Sequence, residues 1–162
     1  MTGASLPRHT SLGYQVNHLS RLMAHALRDR IEALGVVPGQ FAQLLALYET
    51  DGLTQAELCA RVQIEQPTMA NTLARMERDN LITRVPDPAD RRRSRVLLTP
   101  RARALEDDLV AAAGAVNATA TRGLDDHAAQ AFMTTMASII ANLEAEKTDL
   151  ERPPRQDRER TR

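Results

Sequence analysis

Residues 54–98 read TQAELCARVQIEQPTMANTLARMERDNLITRVPDPADRRRSRVLL, and the punctuation of that stretch decides the fold. Thr54 and Glu57 stand at capping-box spacing, where each can satisfy an amide left orphaned at a helix start. A short helix is therefore expected from there to Val62. After a tight turn, Pro67 supplies the fixed φ that suits the first residue of a helix. The helix it opens carries Met69 or Ala70, Leu73 and Met76 on an apolar side. Asn80 sits at its stop and tolerates the positive φ that Gly usually supplies there. The period then changes. Leu81–Val85 and Ser94–Leu98 are short β-like runs, and Pro86-Asp87-Pro88-Ala89-Asp90-Arg91-Arg92-Arg93 between them is turn-forming and charged.

Two helices joined by a brief turn and followed by a basic hairpin predict a winged helix-turn-helix. A helix of this length fits the DNA major groove, and its N-terminal half can present side chains to base edges. Gln66, Thr68, Asn71, Thr72 and Arg75 crowd the side opposite the apolar residues, and Gln55 in the preceding helix is counted with them as a DNA contact. The expected hairpin tip concentrates Arg91, Arg92, Arg93 and Arg95. An Arg in a narrow minor groove gains from the focused negative potential there. Asp90 looks misplaced for DNA, but a carboxylate beside a guanidinium can hold it in one rotamer. The plainer alternatives are a surface helix and a solvated run of charge. Neither explains an Arg cluster at a turn between two β-like runs.

Around this centre the pattern is helical. Leu12, Val16, Leu19, Met23 and Ala26 recur at helical spacing up to about Leu34, and Gly35 is a natural left-handed stop. Pro38 opens a second helix through Phe41, Leu44, Leu45 and Tyr48. Thr99-Pro100 repeats the cap-then-proline start, and Leu105, Leu109, Ala112 and Val116 step by four, three and four. Gly123 breaks that run, and Asp125 caps a last helix carrying Phe132, Met133, Met136, Ile139, Ile140 and Leu143. The expected class is mainly α with a small β-hairpin wing: four helices, the wing, then two more helices. Residues 1–10 are expected to be a flexible N-terminus and 148–162 a disordered tail. Residues 37–99 form the expected winged region, and 11–36 with 100–147 the dimerisation helices. The seam from Leu105 to Val116 and the stripe from Phe132 to Leu143 offer more apolar surface than one winged domain can cover, which predicts a homodimer.

Composition agrees with a helical core built without large rings, since aromatic residues are 2% and Trp is absent. Cys59 stands alone, which excludes an intramolecular disulfide framework and a Cys-based zinc site. It reads as a small buried hydrophobe rather than a redox sensor, because a sensor needs access and a low pKa. No stretch approaches the ~18 apolar residues of a membrane span, so a cytoplasmic protein is expected. The formal net charge is zero, yet it is unevenly spread. Arg61 to Arg103 holds ten Arg against five acids, whereas Ala104 to Leu150 holds Arg122 and Lys147 against eight acids. One basic face on an acidic body is the expected result.

Residues 11–147 resemble the MarR family of bacterial regulators. The resemblance is carried by Leu53-Thr54-Gln55-Ala56-Glu57-Leu58, by Gln66-Pro67-Thr68-Met69, by Leu73-Ala74-Arg75-Met76-Glu77-Arg78-Asp79-Asn80-Leu81-Ile82 and by the wing. The family's Asp-x-Arg pattern falls on Asp90 and Arg92, which implies Arg92 as the minor-groove finger and Asp90 as its support. Two departures are Asn80 in place of the usual Gly and Val37 in place of a capping Ser or Thr. The resemblance implies an intertwined homodimer and a repressor on a near-palindromic operator. In similar regulators a small aromatic acid binds between the dimer and DNA-binding regions. Tyr14, His18, Arg21, His25 and Arg28 form one polar stripe on the first helix, with Asn17 beside it, and could grip a carboxylate and a ring hydroxyl. A solvent-facing or dimer-facing polar edge is the other reading of the same stripe.

An enzyme is the competing class. His9, His18, His25 and His127 have no partner at metal-ligand spacing, and no H-E-x-x-H, Walker loop, G-x-S-x-G or GxGxxG is present. Neither catalysis nor a cofactor is therefore expected. A DNA-binding protein without sequence preference or ligand response, and an α-helical interaction protein, are the remaining alternatives.

Overall fold

The computed structural model describes residues 7–150, with side chains to residue 146. The expected N-terminal loop therefore lies outside the described residues for 1–6, and the expected tail does so for 151–162. Residues 7–10 are exposed and carry one local turn. Pro7 sets an extended φ of −63°, Arg8–Thr10 form a 3-10 turn, and the Thr10 hydroxyl donates to Pro7 O at 3.1 Å.

Helix α1 (Leu12–Ile31) starts where the Ser11 side chain accepts from Tyr14 N–H. A 3-10 turn and Gly35, at φ 71°, end it. Helix α2 (Pro38–Glu49) begins without a capping hydroxyl, because Val37 has none. Gln40 compensates from inside the helix, its Oε1 accepting from Val37 N–H at 3.2 Å. Helix α3 (Gln55–Val62) opens on the expected capping box: Glu57 Oε2 accepts from Thr54 N–H at 2.7 Å, and the Thr54 hydroxyl accepts from Glu57 N–H at 3.3 Å. Gln63, at φ 56°, closes it in the left-handed region. Helix α4 (Gln66–Arg78) starts one residue ahead of Pro67, and Asn80 turns the chain at φ 55°.

The hairpin is present as β2 (Ile82–Pro86) and β3 (Ser94–Leu98), in register from Ile82↔Leu98 to Pro86↔Ser94. It is one strand short of the whole sheet. Leu53–Thr54, as β1, pairs antiparallel with Val96 and Arg95, so β3 is the central strand in the order β1-β3-β2. Beyond it the expected single helix is broken. Thr99 caps α5 (Pro100–Ala104), and Leu105 N–H then closes a tighter turn on Ala102 O before α6 (Glu106–Ala120) resumes.

One core joins these elements. Ile31, Leu44, Leu47, Leu58, Met69, Leu73, Met76, Leu81 and Leu109 are fully buried in it. Side chains of this size each contribute about 1.5–3 kcal/mol on burial. The seam expected to remain free for a partner is largely used here: Leu109 and Val116 are buried, and Leu105 and Ala112 pack on the core. Its apolar periodicity records packing of α6 within the chain, where α6 lies on α1.

Among the described residues, those from Thr121 to Leu150 form a second unit. Gly123, at φ 86°, ends the preceding turn, and Asp125 Oδ1 accepts from Ala128 N–H at 2.7 Å to start α7 (Asp126–Leu150). Phe132, Met133, Ile140 and Leu143 on α7 are exposed. No single helix among the described residues is long and apolar enough to cross a membrane.

Candidate nucleic-acid interface

Helix α4 has two unlike sides. Met69, Leu73 and Met76 are fully buried and fix its rotation on the core. Gln66, Thr68, Asn71 and Arg75 are exposed on the remainder. Thr72 is half-buried, and its hydroxyl donates to Thr68 O at 3.0 Å within the helix. Gln55 does not act alone. Its amide donates to Gln66 Oε1 at 2.9 Å, so the starts of α3 and α4 hold each other through two side chains that can both present polar atoms outward.

The far end of α4 is also tied. Asp79 at its C-terminus accepts from the Gln40 amide through its carboxylate (2.7 Å) and from Arg101 through its carbonyl (2.8 Å). Arg101 donates as well to Leu34 O at 2.8 Å, so one guanidinium serves the end of α4 and the end of the α1 segment. Neither Gln40 nor Arg101 stood out in the sequence. A Gln or Arg near a helix start carries no signal of a partner so far along the chain.

At the wing tip Arg92 is the most open of the ion-paired Arg residues, with a side chain 90% exposed. Asp90 holds it from both oxygens: Oδ1 accepts from Arg92 N–H (3.0 Å) and Nε (3.2 Å), and Oδ2 from a terminal nitrogen (3.4 Å). These bonds to Arg92, with the nearby Arg93 charge, keep the Asp90 carboxyl below the usual carboxylate range. Arg91 and Arg93 are exposed beside it. Arg95 is placed differently from the expectation. It lies in β3, half-buried, with Nε 3.3 Å from the buried Asp87 carboxylate.

Between the helix-turn-helix and the wing runs a cleft of about 390 Å³, lined among others by Gln55, Gln66, Arg84, Arg92 and Arg93. Arg84 is a functional candidate that the sequence reading passed over. It stands in β2, 3.6 Å from Glu77 of α4, and only the hairpin register turns it toward this cleft rather than away.

The candidate effector residues are all exposed on α1, whose residues 12–22 are open all round. Tyr14 and His18 stack with ring centroids 6.3 Å apart. Asn17 Oδ1 accepts from Arg21 at 3.4 Å, and His25 lies 3.7 Å from Asp29. Cys59 is partly covered, and its desolvation raises the thiol pKa.

A helix-turn-helix braced at both ends of its second helix, with an Arg-tipped hairpin beside it, defines a winged-helix DNA-binding protein. The model of the MarR family matches residues 34–93. A curated relative, the uncharacterised helix-turn-helix transcriptional regulator YsmB of Bacillus subtilis, is 27% identical over 68% of this chain and 75% of its own length. A MarR-family regulator from Silicibacter pomeroyi is 30% identical over 83% of this chain and 91% of its own, with a TM-score of 0.67. The fold is shared too by Bordetella bronchiseptica BpsR, described as regulated in its DNA binding by 6-hydroxynicotinic acid: 22% identity, 83% and 96% coverage, TM-score 0.75. The chain belongs to the MarR family of transcriptional regulators, which bind DNA.

Proposed function

We propose that the chain represses transcription as a homodimer on a near-palindromic operator and is released by a small aromatic carboxylate. The observation that carries the DNA part is the division of α4: three fully buried side chains lock its rotation and leave Gln66, Thr68, Asn71 and Arg75 facing out. In this reading those residues, with Thr72 and Gln55, meet base edges and phosphates of one major groove. Arg92, held by Asp90 and flanked by Arg91 and Arg93, meets the neighbouring minor groove. Two copies related by a two-fold axis then read half-sites about one helical turn apart. A cytoplasmic location follows from a DNA partner of this kind.

Dimerisation is supported by apolar side chains left open on α1 (Leu12, Val16, Leu19) and, separately, on α7 (Phe132, Met133, Ile140, Leu143). The effector reading rests on Tyr14, Asn17, His18, Arg21 and His25, which offer a charged donor, neutral donors and stacked rings on one side of α1. That side is open on a single chain, so the partner protomer supplies the second wall. The BpsR effector is a pyridine carboxylate, which falls in the proposed chemical class.

Selection from a random duplex pool, followed by footprinting, tests the DNA reading. A two-fold motif with one protected half-site per protomer is expected. Recovery of no motif favours a DNA-binding protein without sequence preference.

A further inference from the structure

The loop of the wing is fastened where it leaves the strands, beside the Pro86↔Ser94 end of the ladder, by residues that behave unlike those at its tip. Asp87 is only 5% exposed, although it is charged and belongs to a hairpin. A carboxylate leaves water at a heavy cost unless its oxygens are matched. Oδ1 accepts from Ala89 N–H at 2.9 Å, and Oδ2 is matched by charge: Arg95 Nε lies 3.3 Å away as an ion pair, without the alignment of a hydrogen bond. Arg95 in turn donates to Gly52 O at 3.2 Å, in the turn that leads into β1 and α3. Its backbone pairs with Val85 on one side and Thr54 on the other. Its charge also acts on Glu57, the residue that completes the capping box of α3. One guanidinium therefore spans the base of the wing and the entrance of the helix-turn-helix.

We propose that Asp87 and Arg95 are positioning residues that set the angle of the wing and so place Arg92, without either touching DNA. This replaces the expected role of Arg95 as a DNA contact, and it rests on the minor-groove role of Arg92 proposed above. A flexible hairpin would let Arg92 sample many directions. Bonds from the buried carboxylate to the hairpin backbone, and from Arg95 across the central strand, remove that freedom before DNA arrives. The general benefit is that less ordering remains to be done on binding.

Charge gives this proposal an unusual sign. Asp87→Asn removes a negative charge near DNA phosphates, so electrostatics alone would tighten binding. Positioning predicts the reverse. The test is fluorescence anisotropy of the full chain with a duplex that the parent selected from a random pool, across a salt series. Asp87→Asn is expected to lower affinity about tenfold and to make the log–log salt slope shallower by about one. Added to Arg92→Ala, it is expected to cost almost nothing more, since both act through one contact. Arg95→Lys keeps a cation but replaces two nitrogens held apart on one plane, Nε toward Asp87 and a terminal nitrogen toward Gly52 O, by a single ammonium. It is expected to match the Asp87→Asn loss, and it carries the test alone if Asp87→Asn does not fold. Parent-like or tighter binding by Asp87→Asn, parent-like binding by Arg95→Lys, or full additivity with Arg92→Ala overturns the clamp. Parent-like binding by Arg92→Ala itself overturns the minor-groove reading and the clamp together.

Discussion

Gln40 donates its side-chain amide to the Asp79 carboxylate at 2.7 Å, joining the first turn of α2 to the residue that caps the C-terminus of α4. Its carbonyl oxygen is also occupied, by Val37 N–H, and Gln40 is buried. Gln40→Ala removes two hydrogen bonds, but their other partners, Val37 N–H and the Asp79 carboxylate, are in reach of water, so a loss of about 1 kcal/mol is expected. Urea unfolding is expected to show a lower midpoint with an unchanged slope. A parent-like midpoint would mean that water replaces the amide at no cost.

Recognition should separate into two kinds of loss. Asn71→Ala or Arg75→Ala is expected to cost roughly 1–3 kcal/mol on the selected duplex and to relax its sequence preference. Arg92→Ala should weaken binding to selected and mixed duplexes alike. If all three bind as the parent does, the assigned face of α4 and the wing tip are not the interface.

Assembly is checked by multi-angle light scattering. A homodimer is expected at micromolar concentration, and Leu143→Asp or Leu19→Asp should shift it toward monomer. A monomeric parent would remove the basis for a two-fold operator.

For the effector, a panel of hydroxybenzoates, hydroxycinnamates and pyridine carboxylates should release the selected duplex. A tenfold loss of DNA affinity needs only ~1.4 kcal/mol of ligand preference for the released arrangement. Arg21→Ala should abolish the response and leave DNA affinity nearly intact. A normal response from that variant makes the α1 stripe a structural edge.

Tyr48 gives an alkaline signature. Its hydroxyl donates to Ala102 O at 2.7 Å, and burial, aided by the Glu106 charge, pushes its pKa up to about 12. The folded state thus retains this proton where an unfolded tyrosine, with a pKa of about 10, loses it. Its contribution is complete below about pH 10 and is lost as pH rises through 12. Tyr48→Phe should lose stability at neutral pH and show a flatter decline in that alkaline window when unfolding is followed by circular dichroism.

The fold was legible wherever a residue type has one local use. The Thr54–Glu57 box, Asn80 at positive φ, Gly35 after α1 and the charged turn between two β-like runs all act within a few residues. The errors have a common physical source. Leu53–Thr54 is too short to show alternation, so β1 was invisible. Apolar stepping runs through Leu105, which hid the break between α5 and α6. The seam from Leu105 to Val116 showed that an apolar side exists but not what covers it. Arg95 falls within the expected run Ser94–Leu98, but nothing local shows that its guanidinium turns toward Asp87 and Gly52. Contacts made over long sequence separations, such as Arg101 to Leu34, left no local trace.

Arg101 has one more neighbour. A Cβ built on Gly35 would come within 2.7 Å of the Arg101 nitrogen that binds Leu34 O, and Gly35 itself sits at φ 71°. A side chain at 35 would push the tip of Arg101 aside and cost its bond to Leu34 O. The left-handed φ disfavours such a side chain whether or not Arg101 is there. Gly35 is thus held for two independent reasons, and descendants that lose Arg at 101 should still keep Gly at 35.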